Sequence, residues 1–209
     1  MRLVGLPNRK QHWRISLDSL YKKVDNLVSK ELCDVLAGSM LICEHQCPFD
    51  QPKSNDNRLG KWNDSQVMGA FSIHGYPALD SLLCYLRPKI EEVTGKKLFP
   101  CYSYARVYRN GNHMPIHTDR PACEYSVTIT LKSDKTPYPI YMDGTPIVIE
   151  QGSGVVYQGT KIPHWRKIFE GNEHIQTFLH YVDAEGEYAG EKYDQDKRDE
   201  GLELIDPFC

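Results

Sequence analysis

Residues 117–131 read His117-Thr118-Asp119-Arg120-Pro121-Ala122-Cys123-Glu124-Tyr125-Ser126-Val127-Thr128-Ile129-Thr130-Leu131. From Tyr125 onward the pattern has a period of two. Ser126, Thr128 and Thr130 share one face, and Val127, Ile129 and Leu131 share the other, as in a strand with one polar and one apolar side. At the other end of the stretch, His117 and Asp119 are two residues apart. On extended chain such a pair points to the same side, so an imidazole and a carboxylate can converge on one cation.

Working outward, the two-residue period recurs. Tyr102 to Tyr108 alternates, and Tyr138 to Tyr141, Pro146 to Glu150, Gly154 to Tyr157 and Ile175 to Val182 read as further short strands, with Gly144, Gly152, Gly154, Gly159 and Gly171 marking turns. Towards the N-terminus the period lengthens. Leu17, Leu20, Val24, Leu27, Val28, Leu32 and Leu36 predict a helix over 17–38 that stops at Gly38; Leu79, Leu82, Leu83, Leu86, Ile90 and Val93 predict another over 78–95, kinked at Pro88 and ended by Gly95. Residues 47–66 are polar and carry Pro48, Pro52 and Gly60, which is loop chemistry. Trp62 within that loop either tucks against the body or forms a binding rim. Helices followed by many short strands predict an α+β protein whose catalytic core is an all-β sandwich or barrel.

Composition narrows the function. The 209 residues are 40% hydrophobic and 25% charged, ordinary for a folded chain, and length predicts one domain. Its parts are helical support and loop over 1–97, the strand-rich core over 98–182 and an acidic tail over 183–209. A mean hydropathy of −0.53, with no long apolar run, predicts no membrane span and no signal peptide, hence a cytoplasmic protein. The net charge of −3 argues against nucleic acid as a partner. Residues 183–209 hold ten acidic and three basic side chains, so the tail is either solvated or a cover for a partner or pocket. Seven unevenly spaced cysteines point to reduced thiols. Cys43-Glu44-His45-Gln46-Cys47 can offer zinc ligands, but no second Cys/His pair completes a closed site.

The chemistry gathers in residues 102–182. His164 lies 45 residues beyond Asp119, just past the Gly154–Tyr157 strand. Antiparallel neighbours can bring it to His117 and Asp119, and two neutral imidazoles with one carboxylate on one face of a metal form the facial triad of non-haem Fe(II) oxygenases. Arg166 and His174 are each able to place positive charge near that metal, as a dicarboxylate that chelates iron at one end requires at the other. Tyr108 can hydrogen-bond the same carboxylate. His180 either lines the pocket or packs in the core. Arg120 either reaches substrate or ties down its loop, with Glu124 as a possible partner; Trp165 alternates away from His164.

The text Leu98-Phe-Pro-Cys-Tyr-Ser-Tyr-Ala-Arg-Val-Tyr108, then His117 to Leu131, Gly154-Val-Val-Tyr-Gln-Gly159, His164-Trp-Arg166 and Gln176-Thr-Phe-Leu-His-Tyr-Val182 resembles the Fe(II)/2-oxoglutarate-dependent dioxygenase superfamily, most of all its prolyl-4-hydroxylase-like branch. The resemblance spans roughly residues 75–182. It implies a double-stranded β-helix (jelly-roll) core with supporting N-terminal helices, and Fe(II), 2-oxoglutarate and O2 as cofactor and co-substrates. It also implies hydroxylation of a small molecule or peptide with release of succinate and CO2. Carried over by position, the metal ligands are His117, Asp119 and His164, and the 2-oxoglutarate-binding tyrosine is Tyr108. The family's second pocket tyrosine appears here as Thr130. The usual Arg or Lys about ten residues past the distal histidine is His174. That departure shifts the expected salt bridge to Arg166, assisted by protonated His174 or by Gln176. A jelly-roll binding module without catalysis, or a cupin-type metal enzyme that does not use 2-oxoglutarate, are the competing readings.

Overall fold

Ser29 decides where the first helix begins. The computed structural model describes residues 20–47, 59–197 and 207–208, and it divides the stretch predicted as a helix over 17–38 in two. Tyr21–Val24 is a strand, β1, and α1 runs over Lys30–Gln46, passing through Gly38 instead of stopping there; Leu17 lies outside the described residues. Between them Asn26 adopts a positive φ of 56°, which asparagine tolerates better than most residues. The Ser29 hydroxyl accepts from the Leu32 N–H at 3.3 Å and caps the helix. The helical period was misleading here because Val24 and Leu27 reach the same apolar core from non-helical backbone, while pairing with a neighbouring strand overrides local propensity. The second helix, α2, spans Pro77–Thr94, with Pro77 in its first turn and Gly95 in the left-handed conformation at its end. It continues through Pro88.

The remaining strands are β2 (Phe71–His74), β3 (Leu98–Tyr108), β4 (Met114–His117), β5 (Tyr125–Ser133), β6 (Ile140–Met142), β7 (Thr145–Ile147), β8 (Gly154–Tyr157), β9 (His164–Arg166) and β10 (His174–Asp183). They form a six-stranded sheet in the order β1-β8-β5-β10-β3-β2 and a four-stranded sheet in the order β4-β9-β6-β7, with every strand pairing antiparallel.

Strand alternation gives the large sheet two different faces. Val107, Val127, Ile129, Leu131, Ile175 and Leu179 pack with Leu36, Met40, Leu79 and Leu83 of the helices. Each such side chain contributes roughly 1.5–3 kcal/mol when fully buried. The opposite face carries Tyr108, Val155 and Tyr157, which cluster with Met114, Ile140 and Met142 of the small sheet. That inner face also holds buried polar groups: Arg106, Ser126, Thr128, Thr130, His174, Gln176 and His180. So many polar side chains between two sheets mark a binding interior.

Candidate metal and anion site

β4 and β9 bring the two histidines together, because His117 and His164 are register partners. Their ring centroids are 4.2 Å apart. Asp119 follows on the loop after β4, and its N–H donates to Gly159 O at 2.8 Å. Its Oδ1 lies 3.5 Å from both His117 Nε2 and His164 Nε2. One ligand atom from each of the three residues falls within 4.8 Å of the others. The tautomers follow from the partners. His117 Nδ1 is 2.9 Å from Pro115 O, and His164 Nδ1 is 3.0 Å from Ile162 O. A carbonyl only accepts, so both Nδ1 atoms carry the proton and both Nε2 lone pairs face Asp119, the state a metal requires. The Asp119 carboxylate is itself largely buried beside these two rings. The Ser126 hydroxyl donates to Oδ2 at 3.3 Å. Gly159 is required by this packing, because a Cβ there would collide with the Asp119 carboxylate and with Cys123 O.

Arg166 faces the same interior as His164 from two residues further along β9. It is 1% exposed. Its Nη1 donates to Tyr138 O, while Nε and Nη2 have no hydrogen-bond partner. Among the described residues no carboxylate pairs with it, although Arg106 and Arg120 each have one and Arg109 has two. Tyr138 and Tyr108 flank its guanidinium, with ring centroids 4.7 and 5.8 Å from Cζ. Nε and Nη2 form one edge of the guanidinium, the edge that matches a carboxylate bidentately. A buried cation without an anion is costly, so the arrangement suits an anionic ligand.

Compared by sequence, the chain matches no protein-family model and no curated protein. Compared by structure, it is similar to the viral collagen prolyl hydroxylase of Paramecium bursaria Chlorella virus-1, solved with 2-oxoglutarate (TM-score 0.57, 13% identity, 78% of this chain and 96% of that one). It is likewise similar to a Pseudomonas putida prolyl-4-hydroxylase (TM-score 0.57, 13% identity, 78% and 92%). The non-haem α-ketoglutarate-dependent epimerase SnoN of nogalamycin biosynthesis also matches (TM-score 0.60, 11% identity, 79% and 78%). The fold is that of the 2OG-Fe(II) oxygenases.

Within this oxygenase fold the remaining candidates form one network. His174 is 3% exposed, and its Nε2 is 2.7 Å from Gln176 Oε1, which assigns its proton to Nε2. Burial, and then the Arg166 charge, push its pKa down to about 3. The expectation that protonated His174 assists Arg166 is therefore corrected: its ring is neutral at ordinary pH, because a second cation cannot be charged in a dry site beside Arg166. Gln176 Nε2 donates to Thr128 Oγ1 at 2.7 Å, and Thr130 Oγ1 lies 3.2 Å from Gln176 Oε1 and 3.0 Å from Ile149 O. Gln176 thus meets both Thr130 and His174. Tyr108 is fully buried beside Tyr138, with ring centroids 5.2 Å apart.

Several open readings are decided. Arg120 ties down structure: it pairs with Asp194 at 2.7 Å and lies over the Tyr102 ring, whereas Glu124 accepts from the Asp183 N–H, so Glu124 is not its partner. His180 is buried, with Nδ1 2.8 Å from the Ser126 hydroxyl that supports Asp119. Asp119, Cys123 and His180 also gather within 4.8 Å. Trp62 tucks inward, donating to Cys47 O at 2.8 Å and meeting Phe71 edge to face. Trp165 stacks on Tyr141, away from His164. Sequence reasoning missed Arg106 and Asp64, which form a buried ion pair at 3.0 Å. Arg106 lies two residues before Tyr108 on β3, so alternation could have found it; the contact to Asp64, 42 residues away, leaves no local signal.

Proposed function

We propose that this chain is an Fe(II)- and 2-oxoglutarate-dependent oxygenase, built on a double-stranded β-helix, that hydroxylates a small-molecule or peptide substrate. The observation that carries this reading is a three-donor His117–Asp119–His164 set with both Nε2 lone pairs turned inward, joined in one interior by a buried Arg166 whose carboxylate-matching edge has no partner among the described residues. When bound, Fe(II) with 2-oxoglutarate and O2 supplies C–H hydroxylation coupled to decarboxylation of the 2-oxo acid to succinate and CO2. His117, Asp119 and His164 would hold the metal on one face and leave the other positions open. Arg166 would grip the distal carboxylate of 2-oxoglutarate, and Tyr108 would donate to it. The Tyr108, Tyr138 and Phe169 rings, with Met114, keep water from that end. One structural neighbour, a Trichoplax adhaerens prolyl hydroxylase, holds a peptide fragment of hypoxia inducible factor, which favours keeping peptides among the candidate substrates.

The test is anaerobic titration of Fe(II) and 2-oxoglutarate, followed by O2. A weak visible charge-transfer band, succinate release and a product heavier by one oxygen are the expected results. His117→Ala and Asp119→Ala should abolish all three. Full turnover in either variant at limiting Fe(II) overturns the assignment. Metal binding without succinate identifies a binding module or a metal enzyme of another type.

A further inference from the structure

We propose that Arg106, held by Asp64, is a positioning residue that makes the Tyr108 phenol a hydrogen-bond donor toward the carboxylate gripped by Arg166. This rests on the oxygenase reading and adds a residue to it. Two guanidiniums lie buried in the same interior, and their partners differ. Arg106 Nη2 donates to Asp64 Oδ2 and to Gln66 Oε1, each at 3.0 Å, so its charge is balanced within the protein. Arg166 has no such partner among the described residues. Of the two cations, Arg166 therefore waits for an anion, and Arg106 acts through a neighbour.

That neighbour is Tyr108. Arg106 Nη1 donates to the Tyr108 oxygen at 3.0 Å. A guanidinium has donors only, so the phenol oxygen must accept, and its single proton is directed elsewhere. Among the described residues the other hydrogen-bond contact of that hydroxyl is Met114 Sδ at 3.9 Å, a weak acceptor. Among the described residues, a fully buried O–H thus lacks a strong acceptor on a ring 5.8 Å from the Arg166 guanidinium, whose own Nε–Nη2 edge lacks one too. A carboxylate supplies acceptors to both. Asp64 makes the arrangement rigid. Its Oδ1 accepts from the N–H groups of Gln66 and Val67 at 2.7 and 3.0 Å, and its Oδ2 also accepts from the Tyr104 hydroxyl. The loop around residues 64–67 is by this route pinned to the strand that carries Tyr108.

The experiment measures calorimetric affinity, under anaerobic conditions and with Fe(II) bound, for two ligands. They are 2-oxoglutarate and 2-oxovalerate, which keeps the 2-oxo acid head and lacks the distal carboxylate. Tyr108→Phe should weaken 2-oxoglutarate about tenfold or more, the range for a hydrogen bond to a charged group, and leave 2-oxovalerate nearly unchanged. Arg106→Met should do the same. The double variant should lose no more than either single one, because both act on one hydrogen bond. Arg106→Met with Asp64→Asn removes both charges and guards against misfolding from an unpaired Asp64; Arg106→Lys, which can still donate, should restore most of the preference. Losses that multiply in the double variant, or an equal loss for 2-oxovalerate, overturn the positioning role. Arg166→Met separates the two claims. If it leaves the preference for 2-oxoglutarate intact, the dicarboxylate reading falls and the Arg106 role with it; if it abolishes the preference while the Arg106 series does not, only the Arg106 role falls.

Discussion

His174 stands where a cation was expected, ten residues beyond His164, yet it is buried and neutral, with a pKa pushed down to about 3. It faces Arg166, Tyr108, Tyr138 and Gln176, and the Gln176 hydrogen bond and the Asp134 charge, which favour its protonation, are outweighed by burial and by Arg166. Two outcomes follow. The KM for 2-oxoglutarate in steady-state assays should not rise as pH climbs from 6 to 8, and Arg166→Ala should raise it far more than His174→Ala, since breaking a buried pair from one side costs about 3–5 kcal/mol. Stability should show the proton instead. The folded value lies below the ordinary 6.5, so between the two the unfolded chain binds a proton that the fold excludes. This contribution is intact above about pH 6.5 and is lost as pH falls toward about 3. Urea melts of wild type and His174→Asn at pH 5 and pH 8 should show a smaller pH dependence in the variant; identical dependence contradicts a buried neutral ring.

Elements place these residues by simple periodicities. The two-residue alternation of β5 sends Val127, Ile129 and Leu131 to the helices and leaves Ser126, Thr128 and Thr130 facing inward, as the sequence predicts. α2 supplies the cover for the apolar face. Leu83 is fully buried there, and Leu83→Ala should destabilise the fold by about 2–5 kcal/mol without changing the preference for 2-oxoglutarate over 2-oxovalerate, as a melt paired with calorimetry would show. The turn after β8 behaves differently. Gly159→Ala drives a methyl group into the Asp119 carboxylate and Cys123 O. It should weaken Fe(II) binding at least tenfold, read by anaerobic competition with a chelator; unchanged affinity would mean that the loop gives way freely. The boundary of α1 is the element that periodicity misplaced, because an apolar residue every three or four positions also suits a strand, a turn and a helix packed on one core.

At the scale of the whole molecule, distant segments close around the interior. Asp194 from the acidic tail is 1% exposed and meets His74 at 3.0 Å and Arg120 at 2.7 Å, immediately beyond the proposed ligand Asp119. The near part of the tail is thus packed against the protein, while residues 198–206 lie outside the described residues. Asp194→Ala leaves Arg120 and His74 without their carboxylate and should lower stability by roughly 1–3 kcal/mol, measured by thermal melts; an unchanged Tm would mean that the contact is incidental. The sequence by itself determined what depends on neighbours in the chain: the alternation of the strands, the course of α2, and the pairing of His117 with Asp119 on one side of extended backbone. His164 and Arg166 were legible for the same reason, two residues apart on one strand. Only the tertiary structure decided which charges are balanced. Arg106 meets Asp64 across 42 residues and Arg120 meets Asp194 across 74, whereas Arg166 meets no carboxylate among the described residues. Whether a cation is neutralised within the protein or left for a ligand depends on burial and on contacts between distant segments, and local residue order encodes neither.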